Sequence, residues 1–394
     1  MKRIVWSLLF LLAAVLITLR SLALAQNATP LTQPLHGYYT YGQLKGVTTQ
    51  EALSGAAAAT TIPMWSYAFT ASRDGSVRTG VMVGRSPFFH GARTTAIPAF
   101  IVPVKVHMPD GGVFDPSVTD STCLGGKVPA TVFQNSPLFQ TTDFMMNGTD
   151  MGTAQYIDAF QRANFFTKNA SVTGNRFHTM LTTTTLAEQT FTVPSGKGGS
   201  FSVGGCEHLG IMDLATFDAF VQGTLVPFVA AHGGGPTSLP IILLYNVVIA
   251  APFVTGTTDN CCILGYHSVF STPAVQTYSV GEFDSVGVFS NVSDVAAPSH
   301  EIGEWMNDPL GNNFVPLWGN IGQVSGCQNN LEVGDPLSGT LFPSVTLNSF
   351  TYHMQELAFF SWFMGTPSLG VGGDFSNNGT FKGDAVLCPP GGTN

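Results

Sequence analysis

The sequence predicts an α+β fold, rich in strands and loops, in which a mixed sheet carries one short helix with the chemistry on it. Three observations point there. Residues 239–288 form apolar, β-branched runs of strand length, broken by Gly, Asn and Asp. Directly after them, Ser299-His300-Glu301-Ile302-Gly303-Glu304-Trp305-Met306-Asn307-Asp308-Pro309 has helical spacing and stops at a proline. Only 10% of residues are charged, while 44% are hydrophobic and glycine numbers 44, a balance that suits a β-rich chain with a large core.

The chain opens Met1-Lys2-Arg3, followed by an apolar run over 4–19 and then Ser21-Leu22-Ala23-Leu24-Ala25. That order predicts a secretory signal peptide over 1–25, cleaved after Ala25. The mature protein is then expected to be one secreted domain over 26–394, with 26–235 preceding the part, 236–394, that carries the candidate site. No later stretch reads as long and apolar enough to cross a bilayer. Cleavage removes Lys2, Arg3 and Arg20 and no acid, taking the formal charge from −9 to −12. Such a surface argues against nucleic acid or anionic lipid as a partner.

Along the chain, 26–60 reads as a polar entry segment. Residues 96–107 read as a strand whose prolines suggest an edge or a bulge. Helical spacing appears over 154–165, and 191–203 reads as a hairpin around Ser195-Gly196-Lys197-Gly198-Gly199. The longest helical pattern, 213–231, is interrupted by Pro227. Strands are expected over 239–250, 263–270 and 275–288. The next helix begins near Ala297, with Pro298 in its first turn and Asp294 available as an upstream cap, and it ends at Asp308. Asn- and Gly-rich loops follow, then a last regular segment over 350–363. The six cysteines suggest disulfides in a secreted chain, and adjacent Cys261 and Cys262 are each expected to bond a distant partner. The chain has no Cys-x-x-Cys pair, which argues against a thiolate zinc site.

The chain has only eight glutamates, and two of them lie within four positions beside a histidine. On a helix, His300 and Glu304 share a face, with Glu301 turned to one side. This is the layout of the His-Glu-x-x-His zinc helix, whose intervening Glu is the general base, with Glu in place of the second His. His300 and Glu304 are therefore candidate metal ligands, and Glu301 is the candidate catalytic base. Zinc asks for a third protein ligand. Glu332, in Leu331-Glu332-Val333-Gly334-Asp335-Pro336, is the first choice, followed by Asp335, Asp308 and His353. The carboxylate-rich set leaves Ca²⁺ or Mn²⁺ open beside Zn²⁺. His267 either lines the cleft or makes a structural hydrogen bond. Strands, then a ligand-bearing helix, then a loop-borne ligand is a zincin-like order. No Gly-x-Ser-x-Gly elbow and no phosphate-binding Gly-x-x-x-x-Gly-Lys-Ser/Thr loop occurs.

Ser299-His300-Glu301-x-x-Glu304, then Asp308-Pro309, then Glu332-Val333-Gly334-Asp335, then a Tyr352/Gln355 segment, with Gly265-Tyr266-His267-Ser268 upstream, resembles a group of secreted proteins. These are bacterial putative metalloproteases and the plant phosphate-induced, EXORDIUM-like proteins, whose His-Glu-x-x-Glu helix is followed by a Glu-Ile-Gly-Asp element. The resemblance spans roughly 239–363. The cysteine that often follows Glu-Ile-Gly-Asp is absent here; Cys327 precedes the element instead. The resemblance implies a secreted metalloprotein on a zincin-like scaffold.

Two functions follow as expectations. One is a secreted metal-dependent hydrolase, most simply a zinc metallopeptidase acting on a peptide or protein. The other is a non-catalytic extracellular or cell-wall-associated protein that binds cell-wall glycan or another surface protein. With two carboxylates on the ion in place of one, a bound water is less acidic than in a two-His site.

Overall fold

The computed structural model describes residues 28–31, 35–42, 48–88, 94–172, 176–203, 208–271 and 274–389. The expected signal peptide and Cys206 lie outside them. The α+β expectation is corrected: 38% of the chain is strand and 19% helix, and the organising element is one large curled mixed sheet, a half-barrel. A fold with so little helix is a β-rich one. Most of its strands pair with partners far away in the chain, which local patterning does not reveal.

The sheet has twelve strands. Its spine is Val247–Ala250, Cys261–Ser271, Val275–Phe283, Leu239–Tyr245 and Thr94–His107, in that spatial order. Cys261–Ser271 and Val275–Phe283 form an antiparallel hairpin, while Leu239–Tyr245 runs parallel to its neighbours on both sides. These strands are almost entirely buried, as sheets covered on both faces are. Thr94–His107 is not an edge: Leu239–Tyr245 flanks it on one side, and His178–Thr185 and Gln189–Thr192 on the other. The expected 191–203 hairpin does not form. Gln189–Thr192 pairs with Thr94–His107 instead, and Gly198–Ser202 with His208–Asp213. The short strand Tyr38–Tyr41, inside the polar entry segment, runs parallel to Cys261–Ser271 beside residues 263–267.

Helices cover the two faces. Residues 214–231 are one continuous helix that passes through a π-helical turn, Val221–Leu225, immediately before Pro227. The wider turn accommodates the proline, so the helix is not interrupted there. Phe217, Val221, Leu225 and Val229, one helical stripe, pack with Tyr266, Tyr278 and Val280 of the sheet. By length and composition this helix is apolar enough to cross a membrane, which corrects the expectation that no such stretch exists.

The opposite face carries the site helix, Ala296–Asn307. The strand period of two divides the hairpin: Tyr266 and Tyr278 face the long helix, while Gly265, His267, Thr277 and Gly281 face this one. Pro298 stands in its first turn, and Asp294 Oδ1 accepts from the Val295 N–H just before it. At its end, Asp308 leaves helical geometry and accepts from the backbone N–H groups of Asn312 and Asn313. The stretch after it is not loop but a hairpin, Phe314–Ile321 with Val324–Asn330.

The sulfurs of Cys327 and Cys388 lie at disulfide distance, and so do those of adjacent Cys261 and Cys262. The last pair corrects the expectation of two distant partners.

Trp305 is wholly buried, and its indole N–H donates to Thr277 Oγ1 at 2.9 Å, tying the site helix to the sheet. Thr277→Val leaves that N–H without an acceptor. The expected loss is about 1–3 kcal/mol of stability, read from chemical denaturation, because a buried donor then keeps its full desolvation cost.

Candidate metal centre

His300 and Glu304, one helical turn apart, meet as expected: His300 Nε2 lies 3.0 Å from Glu304 Oε1. Asp335 Oδ1 is 3.6 Å from the same nitrogen. One ligand atom from each of His300, Glu304 and Asp335 lies within 4.8 Å of the others, a spread that one cation can span. A second group of the same kind is His267, Glu301 and Glu304. His267 Nδ1 is 3.3 Å from Glu301 Oε2 and 3.8 Å from Glu304 Oε2.

The first-choice third ligand, Glu332, is brought to the cluster but not into either group. Its carboxyl is within hydrogen-bonding reach of Glu304, and neither oxygen receives an N–H or O–H donor among the described residues. Asp335 takes the position beside His300. The physical reason is the turn at Gly334, which also brings two N–H groups onto Glu304: Gly334 and Asp335 both donate to Oε1, at 3.1 and 3.2 Å. Asp308 is committed to closing the end of the helix. His353 is paired with Asp294 at 2.6 Å and belongs to neither ligand group.

The surroundings fix each ligand. Gln355 Nε2 donates to the Gly334 carbonyl at 2.7 Å, which turns its Oε1 to accept from His300 Nδ1 at 3.1 Å. His300 Nε2 is thereby aimed at the acids, the arrangement that hydrogen-bond partners behind the ring impose on metal-binding imidazoles. The Tyr39 ring stacks on His300 at 3.6 Å and 17°. Gln323 and Gln328 donate to the two oxygens of Asp335 at 2.5 and 2.9 Å. Two glycines make room: a Cβ on Gly334 would lie 2.4 Å from His300 Nδ1, and one on Gly265 would lie 2.7 Å from Glu301 Cγ.

The electrostatics are those of an acid-rich interior. His267, His300, Glu301 and Glu332 are fully buried, and Glu304 and Asp335 nearly so. Among the described residues, no Lys or Arg forms an ion pair with any of these acids. Burial pushes the Glu301 carboxyl well up, and the imidazolium of His300 offsets this only in part. Burial likewise raises Glu332 well above the carboxylate range, with repulsion from Glu304 adding to it. Burial and Glu304 together bring Asp335 to about 6. Glu304 behaves oppositely: burial raises it, but the His300 charge and hydrogen bond carry it below its usual value. His300 is raised well above an ordinary imidazole, because Glu304 and Asp335 outweigh its desolvation, whereas desolvation lowers His267 to about 4. Without a cation, protons must hold this cluster together, and the proton on His300 Nε2 sits where the geometry would place a metal.

A cavity of about 350 Å³ lies above Asp335, lined also by Tyr38, Tyr39, Tyr41, Gln323 and Gln328. Asp335 is the one cluster acid among its walls. His267 and Asp335 are the residues least visible as a set in the sequence. The signal for His267 is its place two residues from Gly265 on an alternating strand.

No family model matches the chain, and neither a curated protein nor a solved structure does.

Replacing Gln355 by Leu leaves His300 Nδ1 without its acceptor and the ring free to turn. Cation affinity, measured by calorimetric titration, is expected to fall about 10- to 100-fold, as it does when a ligand imidazole loses the partner behind it.

Proposed function

We propose that this protein binds a divalent cation between His300, Glu304 and Asp335 and uses it to hydrolyse its substrate, most simply a peptide bond. The observation that carries this reading is the aimed Nε2 of His300, held by Gln355 and facing two buried carboxylates that pair with no Lys or Arg among the described residues. A cation in that position polarises a substrate carbonyl and makes a water more acidic. Zn²⁺ suits the imidazole, while the carboxylates favour Mn²⁺ or Ca²⁺. Glu301, across the helix face, takes the proton from the attacking water through Oε1, which has no hydrogen-bond partner among the described residues. Substrate approaches from the cavity over Asp335, on the Tyr39 side. The likeness of the His-Glu-x-x-Glu segment to secreted putative metalloproteases supports the chemistry, and residues 1–25 support an extracytoplasmic setting.

One observation favours a second reading. The stacked Tyr39 ring and the near-complete burial of the ligands suit a structural cation that pins the site helix, the Cys261–Ser271 strand and the 331–335 turn together. The protein would then be a non-catalytic extracellular binder, with cell-wall glycan among its candidate ligands.

The test is hydrolysis of a quenched fluorescent peptide library before and after chelation, with metal analysis of the same samples. Hydrolysis that stops on chelation and returns with Zn²⁺ or Mn²⁺ supports the enzyme. Bound metal whose removal lowers the melting temperature, with no hydrolysis at any stage, supports the second reading. His300→Ala is expected to abolish binding at this position, whereas Glu301→Gln keeps the cation there and loses turnover, because an amide cannot accept the proton. Equal loss of that cation in both variants would contradict the assigned roles.

A further inference from the structure

We propose that the cluster holds two divalent cations, with Glu304 bridging them. The inference rests on the function proposed above for the first cation and adds a second.

Glu304 is the only residue common to the two ligand groups, and its two oxygens are divided between them. Oε1 faces His300 Nε2 at 3.0 Å, and Oε2 faces His267 Nδ1 at 3.8 Å. Each side offers one imidazole, one private carboxylate and one half of Glu304: His300 with Asp335, and His267 with Glu301. A carboxylate used through both oxygens holds two ions at the roughly 3.5–4 Å separation of two-metal sites. The hairpin and the site helix make this arrangement together, since His267 reaches the cluster only because Gly265 lets the helix approach the strand.

The charge of the site agrees. Glu301, Glu304, Glu332 and Asp335 converge with two histidines and no Lys or Arg ion pair among the described residues. A single dication leaves two of the four buried carboxylates uncompensated, whereas two dications neutralise all four. Glu332 supplies an independent sign. It is fully buried, it lies against Glu304, and among the described residues neither of its oxygens meets an N–H or O–H donor. A cation beside Glu304 gives the ionised Glu332 carboxylate the partner that no donor among the described residues supplies. Glu301 keeps its earlier part: Oε2, on the His267 side, holds the second ion, and Oε1 remains the proton acceptor.

The experiment loads the chelated, dialysed full-length protein with Mn²⁺, counts bound metal and records its electron paramagnetic resonance spectrum. Two ions per chain with the spectrum of an exchange-coupled pair support the proposal. His267→Ala should reduce this to one ion per chain with the six-line signal of an isolated Mn²⁺, because the His300 side is untouched. If that variant does not fold, His267→Asn is read in its place, and the wild-type count and coupling decide by themselves. One uncoupled ion per chain in the wild type overturns the second site and leaves the single-cation reading standing. No bound ion overturns both. Two uncoupled ions that persist in the His267 variant place the second ion elsewhere and overturn the proposal as well.

Discussion

The contact between His300 and Glu304, sealed inside an acid-rich core, is the constraint on which the rest of this region depends. Four carboxylates and two imidazoles are packed in a buried cluster that only Asp335 links to the cavity, and among the described residues no Lys or Arg pairs with their negative charge. Leaving such groups ionised and unpaired costs several kcal/mol each, so something must compensate. Within the protein the compensation is partial: two backbone N–H groups and an imidazolium reach Glu304, but among the described residues Glu301 Oε1 and both oxygens of Glu332 have no donor. A cation is the simplest group that satisfies all of them together.

The fold is arranged around that requirement. Glycines at 265 and 281 bring the site helix onto the hairpin, and Gly334 lets the 331–335 turn close over the His300 ring. Gln355 serves the ring and the turn together, accepting from the first and donating to the second. Tyr38–Tyr41 extends the sheet beside His267 and lays Tyr39 over His300. The same strand forms one wall of the cavity that leads to Asp335. The element that covers the His300 ring is therefore also a wall of the cavity beside Asp335.

Much of the site could be read from the sequence because helical spacing is local. His300 and Glu304 had to share a face once 296–307 was a helix, and Pro309 marked its end. The partners from elsewhere were less legible. Glu332 and Asp335 sit in one short acidic turn, and the close approach of Gly334 to the His300 ring, with Asp335 next to it, is not visible in the spacing. For His267 the sequence leaves a cleft position and a structural hydrogen bond both open, and only the placing of the hairpin under the helix brings it to Glu301 and Glu304. The fold class was misjudged for a related reason. Strand patterns at 96–107 and 239–250 were visible piecemeal and 191–203 read as a hairpin, but the mutual pairing of these segments across a twelve-stranded sheet is non-local, and β preference depends on such context. Pro98 and Pro103 suggested an edge, yet their strand is flanked on both sides. The π-helical turn before Pro227 was likewise invisible to a periodicity count.

The central claim is that a cation, not shared protons, completes this cluster. The most direct measurement is an anomalous difference map from crystals of the protein supplied with Zn²⁺ or Mn²⁺, recorded on both sides of the metal's absorption edge. The account predicts a peak about 2 Å from His300 Nε2, Glu304 Oε1 and Asp335 Oδ1. A map without a peak, in which these atoms keep the spacing of ordinary hydrogen bonds at full metal supply, would contradict it.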